Sequence, residues 1–262
     1  MPISKSTAVQ SGNRHALVTG GGRGIGAAVA RSLVDHGLQV TVLGRRLDVV
    51  QALASEYPER MHAVAADVAD AAQVGRALAD AQARFGPVSV LVNNAGQAES
   101  APFLKMDAAL WQRMLQVNLT GTMICTQAVL PGMLTAGWGR IVNVASTAGL
   151  AGYAYVSAYC AAKHAVVGLT RALALELATK GITINAVCPG YTETDIMRES
   201  IERVVAKTGR SADEARAEFV KSNPQRRLVQ PEEVANAVAW LCGEGASAVT
   251  GQAVSVSGGE VM

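Results

Sequence analysis

The 262-residue sequence predicts a single α/β domain: a doubly wound parallel sheet with helices on both faces. Three observations lead to it. Short β-branched runs alternate along the chain with longer Ala-rich amphipathic stretches, the pattern of successive βα units. Those runs are apolar almost throughout, as strands covered on both faces must be. The first run leads directly into a cluster of glycines and then into a helical pattern.

In chain order, residues 1–13 are polar and lack an apolar core, so they are expected to be a flexible lead-in and not a secretory signal. His15–Thr19 predicts a strand, and Ile25–His36 a helix stopped by Gly37. Gln39–Leu43 predicts a strand, Leu47–Glu56 a helix, and Met61–Ala66 a strand. Ala71–Phe85 reads as a helix closed by Gly86-Pro87, and Val88–Val92 as the fourth strand. Asp107–Thr135 carries one long helical pattern with Pro131 near its end. Arg140–Val144 is a strand, Tyr155–Thr179 a long helix, and Ile182–Val187 a strand. The segment 191–228 is charged and helix-prone but has no strand pattern, and it is inserted before the last βαβ unit. Pro231–Leu241 (helix) and Ala253–Val256 (strand) complete the set. Right-handed crossovers place every strand C-terminus, and hence the site, along one edge. The 191–228 insertion beside that edge is expected to act as a substrate lid.

Bulk properties narrow the function. Half the residues are hydrophobic and 17% are charged, which suits a soluble protein with a sizeable core. The formal charge is +2, too balanced to indicate nucleic acid or a membrane surface. No apolar run reaches membrane-spanning length. Cys125, Cys160, Cys188 and Cys242 are scattered and form no C-x-x-C pair. They read as reduced structural thiols, with no metal site, in a cytoplasmic protein.

Two regions carry chemistry. In Thr19–Gly26 (TGGGRGIG) the functional glycines are Gly20, Gly24 and Gly26, with Arg23 and Ile25 between them. A strand before and a helix after make this loop a candidate pyrophosphate cradle. The second strand ends at Leu43-Gly44-Arg45-Arg46. An acid there would bind the ribose 2′-hydroxyl of NAD, whereas Arg accommodates the 2′-phosphate of NADP. Gly44 occupies the acid's position, so Arg45 and Arg46 favour NADP(H), with NAD(H) not excluded and a solvated helix start as the plain alternative. Asp67-Val68 closes the third strand, where the carboxylate would accept from an adenine amino group or cap the next helix. Asn94, Ala95 and Gly96 follow the fourth strand and could line the cofactor or form an ordinary loop. The second region is Tyr159 and Lys163, four apart and on one face of a helix. A fixed ammonium beside the phenol favours the phenolate and makes Tyr a usable acid and base near neutral pH.

The glycine loop, Asp67, Asn93–Gly96, Asn118, Ser146, the Tyr159/Lys163 pair and Pro189-Gly190 occur in one order and spacing. On those motifs the chain resembles the short-chain dehydrogenase/reductase family, with its Rossmann-type sheet, over essentially its whole length. The resemblance implies that Tyr159 protonates a carbonyl oxygen as hydride arrives, and that Ser146 hydrogen-bonds the same oxygen. It implies that Lys163 holds the nicotinamide ribose and stabilises the phenolate, and that Asn118 holds a water relaying protons from Lys163. Pro189, Gly190, Thr192 and Thr194 would lie against the nicotinamide. Without the family, Ser146 would be a turn residue, Asn118 a satisfied helix amide and Thr194 a helix cap.

Substrate is less legible. Gln97–Met106, Ala148–Tyr155 and 191–228 are expected to wall a partly aromatic pocket, with Leu150, Tyr153, Tyr155, Met197 and Phe219 contributing. Arg198, Arg203, Lys207, Arg210, Lys221, Arg226 and Arg227 lie in the lid. They would meet a phosphopantetheine or CoA phosphate, or form a solvated face among interleaved acids. The segment Asn185–Ile196 and the tail Gly251–Gly259 are similar to 3-oxoacyl-thioester reductases and polyketide ketoreductases, and the lid length is similar to 3-hydroxybutyrate and 3-hydroxyacyl-CoA dehydrogenases. The expected activity is NADP-dependent interconversion of a ketone and a secondary alcohol, with 3-oxoacyl thioester reduction leading. NAD-dependent oxidation of a hydroxyacyl-CoA, 3-hydroxybutyrate or another secondary alcohol is the alternative, and a non-catalytic nucleotide sensor the alternative of another class. The resemblance also implies a homotetramer, or a dimer, built on the two long helices.

Overall fold

A computed structural model describes residues 14–262, so the expected lead-in 1–13 lies outside the described residues. The seven strands are β1 His15–Thr19, β2 Gln39–Gly44, β3 Met61–Ala65, β4 Val88–Asn93, β5 Gly139–Val144, β6 Ile182–Pro189 and β7 Ala253–Val256. They form one sheet in the order β3-β2-β1-β4-β5-β6-β7, and every pairing is parallel. The helices are α1 Gly24–Asp35, α2 Leu47–Ala54, α3 Ala71–Phe85, α4 Ala108–Leu115, α5 Gly121–Ala136, α6 Ser157–Leu177, α7 Asp195–Thr208, α8 Ala212–Val220 and α9 Pro231–Cys242.

The two-residue period of the strands divides the core. Ala16, Val18, Val40, Val42, Val90, Val92, Val142 and Val144 face one side, where they meet Val29 and Leu33 of α1, Val50 and Leu53 of α2, and Val234 and Val238 of α9. Leu17, Leu43, Leu91, Ile141 and Ile184 face the other, against Val74 and Leu78 of α3, Val129 and Met133 of α5, and Leu177 of α6. Both faces are therefore apolar, which explains the near-continuous hydrophobic runs. Burying one such Val, Leu or Ile contributes about 1.5–3 kcal/mol.

Three departures from the sequence reading bear on the site. The long pattern over 107–135 is one helical run interrupted by a π-turn at Gln116–Thr120, between α4 and α5. Its extra residue is accommodated where the Asn118 amide bonds out of the helix as well as back to Met114. The helix expected from Tyr155 begins at Ser157, because Tyr155 takes a left-handed φ of 67°. The insertion folds as α7 and α8 and lies inside the β6-to-β7 connection, ahead of α9. Its ends are tied by a parallel bridge between Thr192 and Val229. The four cysteines are free and buried.

His15 opens β1 at the end of the sheet opposite the strand C-termini and is 1% exposed. Its Nδ1 lies 2.8 Å from the Gly86 carbonyl and its Nε2 2.8 Å from Thr41 Oγ1. Burial lowers its pKa below 6.5. The unfolded chain therefore takes up this proton first, so His15 contributes stability above about pH 6.5 that is lost as pH falls towards its folded-state value. His15→Gln is expected to show a smaller fall in melting temperature between about pH 7.5 and about pH 5.5 than the wild type. Parallel pH dependences for the two proteins would exclude His15 as the source.

Candidate active site

The sheet order reverses direction between β1 and β4, and the crevice above that point is where ligands of such sheets bind. The local chemistry there is a lock between two strand ends. Thr19 Oγ1 accepts from the backbone N–H groups of Asn94 and Ala95, each at 3.0 Å. The Asn94 amide donates back to the Thr19 and Gly20 carbonyls at 3.0 Å. Gly20 has φ +62°, and a side chain on Gly26 would stand 2.2 Å from the Gly20 carbonyl oxygen and 2.5 Å from Asn94 Nδ2. Only glycines let the loop fold this tightly onto β4, leaving the α1 N-terminus open to the crevice.

A cavity of about 1280 Å³ runs from this loop to α7 and α8. At one end its wall holds Gly20, Arg23, Gly24, Ile25, Gly26, Arg45, Arg46, Asp67 and Val68. Gly44 cannot carry an acid without disturbance, since its Cβ would meet Val50 Cγ1 at 2.9 Å. Among the described residues Arg45 and Arg46 have no ion-pair partner, while Arg23 stands 4.0 Å from Glu199. This end can hold a phosphorylated adenosine ribose. Asp67 does not cap α3: Asp70 does, accepting from Ala72 and Gln73. Asp67 instead accepts from Ala69 N–H at 2.9 Å, a local turn at the strand end, and its side chain still borders the cavity.

At the other end Asn118, Ser146, Tyr159, Lys163, Pro189, Gly190, Thr192 and Thr194 line the same cavity, with Asn94, Ala95 and Gly96 between the two ends. Every residue predicted for the catalytic and cofactor positions is thus brought to it. Tyr159 packs on Leu110, Met114 and Ala158, and the Ser146 hydroxyl beside it opposes the effect of burial on its phenol. Ser146 Oγ also accepts from Ala148 N–H at 3.1 Å, so its turn role and its place in the site coexist. Lys163 is 4% exposed, donates to the Val144 carbonyl at 2.8 Å, and lies 5.6 Å from the Tyr159 ring centre. Asn118 Oδ1 accepts from Gln97 N–H at 3.2 Å while its Nδ2 donates to the Gln97 carbonyl at 2.9 Å. A side chain on Gly96 would come within 2.8 Å of Asn118 Oδ1 and 3.6 Å of Lys163 Nζ. Thr194 caps α7, accepting from Met197 N–H at 3.3 Å.

The protonation states correct one expectation. Burial pushes the Tyr159 phenol up to about 12, with the Ser146 hydrogen bond opposing it, and pushes the Lys163 ammonium down to about 8. Desolvation penalises both charged forms, and the lysine directs its proton to the Val144 carbonyl. Both shifts run opposite to the direction that the Tyr159–Lys163 pairing alone predicts.

The pocket wall also departs from the sequence reading. Tyr153, Tyr155, Met197 and Phe219 line the cavity, whereas Leu150 turns away to pack on Ala145, Val166 and Val167. Of the lid cations, Arg203 and Lys207 reach the cavity wall. Arg198 pairs with Asp195, Arg210 with Glu218 at 3.5 Å, and Arg227 with Glu233 at 2.6 Å, so those form a solvated face. Sequence reasoning missed Tyr191 as an aromatic bridge between Tyr153 and Phe219 and Glu260 as the acceptor for Tyr153. Both are contacts between distant segments without a local pattern.

Three comparisons bear on this site. A model of the family described as short chain dehydrogenase matches residues 14–204. The 3-oxoacyl-acyl-carrier-protein reductase of Aquifex aeolicus is 36% identical, covering 93% of this chain and 95% of its own. The cis-4-hydroxycyclohexanecarboxylate dehydrogenase of Sinomonas cyclohexanicum is 41% identical, covering 94% and 96%. A crystal structure of an actinorhodin polyketide ketoreductase variant with NADPH superposes with a TM-score of 0.91 at 42% identity, covering 95% of this chain and 97% of that one.

Gly26→Ala is expected to destabilise the protein by about 1–3 kcal/mol through overpacking and to weaken dinucleotide binding by about tenfold or more. Thermal melts and calorimetric titration read the two effects. An unaltered affinity would mean that the loop does not cradle the ligand.

Proposed function

Since the chain belongs to the short chain dehydrogenase family, we propose that it is an NADP(H)-dependent oxidoreductase that reduces a ketone, foremost a 3-oxoacyl thioester, to the secondary alcohol. One observation carries the reading: Tyr159, Ser146, Lys163 and Asn118 converge in the cavity whose far end holds the glycine loop and Arg45. NADPH supplies the hydride for the carbonyl carbon when bound. Arg45, Arg46 and the room denied to an acid at Gly44 favour its 2′-phosphate. The Tyr159 phenol, neutral at working pH, gives its proton to the carbonyl oxygen as the C–O bond order falls, while Ser146 donates a hydrogen bond to the same oxygen. Lys163 would hold the cofactor's ribose hydroxyls and help to restore the phenol's proton. Asn118, bonded on two sides to Gln97, holds the π-turn open beside Lys163 for a relaying water.

The names of the relatives extend the reading. A 3-oxoacyl reductase and a polyketide ketoreductase support reduction of an acyl ketone. The hydroxycyclohexanecarboxylate dehydrogenase favours, as a second reading, oxidation of a ring alcohol. The aromatic wall of Tyr153, Tyr191 and Phe219 suits an acyl chain or a ring. We further take residues 14–262 as one domain with 191–228 as its lid, working in the cytoplasm as a homotetramer. No helix among the described residues is long and apolar enough to cross a membrane. Support for assembly comes from Leu175 on α6, 82% exposed, and from open space beside Gly168 on the same helix.

Tyr159→Phe is expected to lower kcat for ketone reduction by about 10²–10⁴-fold with the NADPH dissociation constant nearly unchanged. Wild-type kcat/KM should hold up to about pH 8 and fall above it, as Lys163 loses its proton. A variant that keeps its turnover would refute the assignment. For the cofactor, calorimetry on wild type and Arg45→Asp should show NADPH preferred over NADH, and the preference lost or reversed in the variant. A wild-type preference for NADH would shift the reading to alcohol oxidation.

A further inference from the structure

Glu260, in the segment after β7, borders the substrate end of the site without belonging to the proton-transfer machinery. Its Oε1 accepts from the Tyr153 hydroxyl at 2.8 Å and from Ser222 Oγ at 2.8 Å. Its Oε2 stands 2.8 Å from where a Cβ on Gly190 would lie. One carboxylate thus joins the loop after β5, the chain leaving α8 and the loop after β6. No lysine or arginine pairs with it among the described residues, so two hydroxyls are its main partners, and hydrogen bonds to a carboxylate are stronger than neutral ones.

Its own placement is rigid. Glu260 N–H donates to the Ser257 carbonyl at 3.2 Å, and Val261 N–H to Ser257 Oγ at 3.4 Å. The tail fits against the lid so closely that a Cβ on Gly258 would stand 2.3 Å from Asn223 Oδ1, and one on Gly259 3.3 Å from Pro224. Asn223 is 5% exposed and fixes its own turn through the Arg227 carbonyl and Gln225 N–H. The anchored Tyr153 ring then meets Tyr191 edge-on at 6.3 Å, and Tyr191 meets Phe219 of α8 at 5.2 Å. Thr147, the residue after Ser146, also acts on the Tyr153 phenol, opposing the rise in its pKa that burial causes. A chain of contacts therefore runs from the tail, through the aromatic wall, to the neighbour of Ser146. Freed of Glu260, the half-buried Tyr153 ring could change rotamer and widen that wall.

We propose that Glu260 is a positioning residue for substrate selectivity: it holds Tyr153 as one wall of the ketone pocket and, through Ser222, fastens the α7–α8 segment to that wall. This selectivity role rests on the reductase reading; the fastening does not.

The test compares Glu260→Ala, Glu260→Gln and Tyr153→Phe with the wild type, using NADPH and a panel of prochiral 3-oxoesters and cyclic ketones. Glu260→Ala should change KM by about tenfold for the bulkier ketones, the size expected of a lost hydrogen bond to a charged group, and shift the ratio of alcohol enantiomers. The pH profile of kcat and the NADPH dissociation constant should stay within about twofold. Glu260→Gln, whose amide oxygen still accepts, should restore most of the wild-type pattern. Combining Glu260→Ala with Tyr153→Phe should add little to either alone. Independently of turnover, amide exchange across 212–223 should quicken in Glu260→Ala and not in Glu260→Gln. Unchanged exchange, KM and enantiomer ratio in Glu260→Ala would overturn the proposal, as would an equal loss of NADPH binding and melting temperature in both Glu260 variants. If exchange responds as expected but the wild type reduces no ketone, the reductase reading falls and the tether stands.

Discussion

The hydrogen bonds between Thr19 and Asn94 are the constraint on which the site depends. A parallel sheet whose order reverses must open between its two central strands, and an opening there exposes strand-end backbone. Thr19 Oγ1 and the Asn94 amide satisfy four of those groups at once. They also bring the glycine turn and the Asn94–Gly96 loop to a fixed separation, with Gly26 packed against the Gly20 carbonyl. The width of the crevice, and hence what can lie in it, follows from two small polar side chains. Further along, Asn93 donates to Thr126 and to Asn143, and Asn143 donates to Thr170. That buried amide chain ties β4 and β5 to α5 and α6, and so places Tyr159 and Lys163 relative to the crevice.

Burial governs the electrostatics of the site. From the i, i+4 spacing alone, the ammonium of Lys163 is expected to favour the phenolate of Tyr159. In the folded chain desolvation is the largest influence on both groups, pushing the phenol up to about 12 and the lysine down to about 8. A raised phenol pKa suits the proposed reduction, in which Tyr159 would give a proton first. Lys163 keeps its position through the Val144 carbonyl, which leaves its charge beside the phenol without a direct bond between them. The same two residues can therefore serve alcohol oxidation only once the phenol has lost its proton.

The sheet was legible because strands buried on both faces must be apolar at every position, and all seven were located within about two residues. Motifs confined to one turn were legible too, since the chemistry of a glycine loop or an i, i+4 pair is local. What escaped was set by tertiary contacts. The π-turn at Asn118 answers to Gln97, 21 residues away. Tyr155 leaves the helical region with a left-handed φ of 67°, and its carbonyl accepts from Ala101 N–H across the cavity mouth. Leu150 had the composition of a pocket residue but packs, partly buried, against Val166 and Val167 of α6. Asp67 lost the capping role to Asp70 because α3 starts three residues later than the carboxylate needs.

The substrate end was the least legible part because no single element builds it. Its wall is Tyr153 from one loop, Tyr191 from another and Phe219 from the inserted helices, in edge-to-face contacts that local sequence cannot anticipate. The division of labour is physical. The cofactor end rests on strand ends and a glycine turn whose geometry tolerates little change, since a single methyl on Gly26 has no room. The substrate end rests on side chains carried by loops and on α7, where Arg198 pairs with Asp195 while Arg203 and Lys207 reach the cavity wall. Such a surface can change its residues without moving the reacting groups. Relatives at 36–42% identity can therefore share this architecture and still differ in the ketone or alcohol in their names.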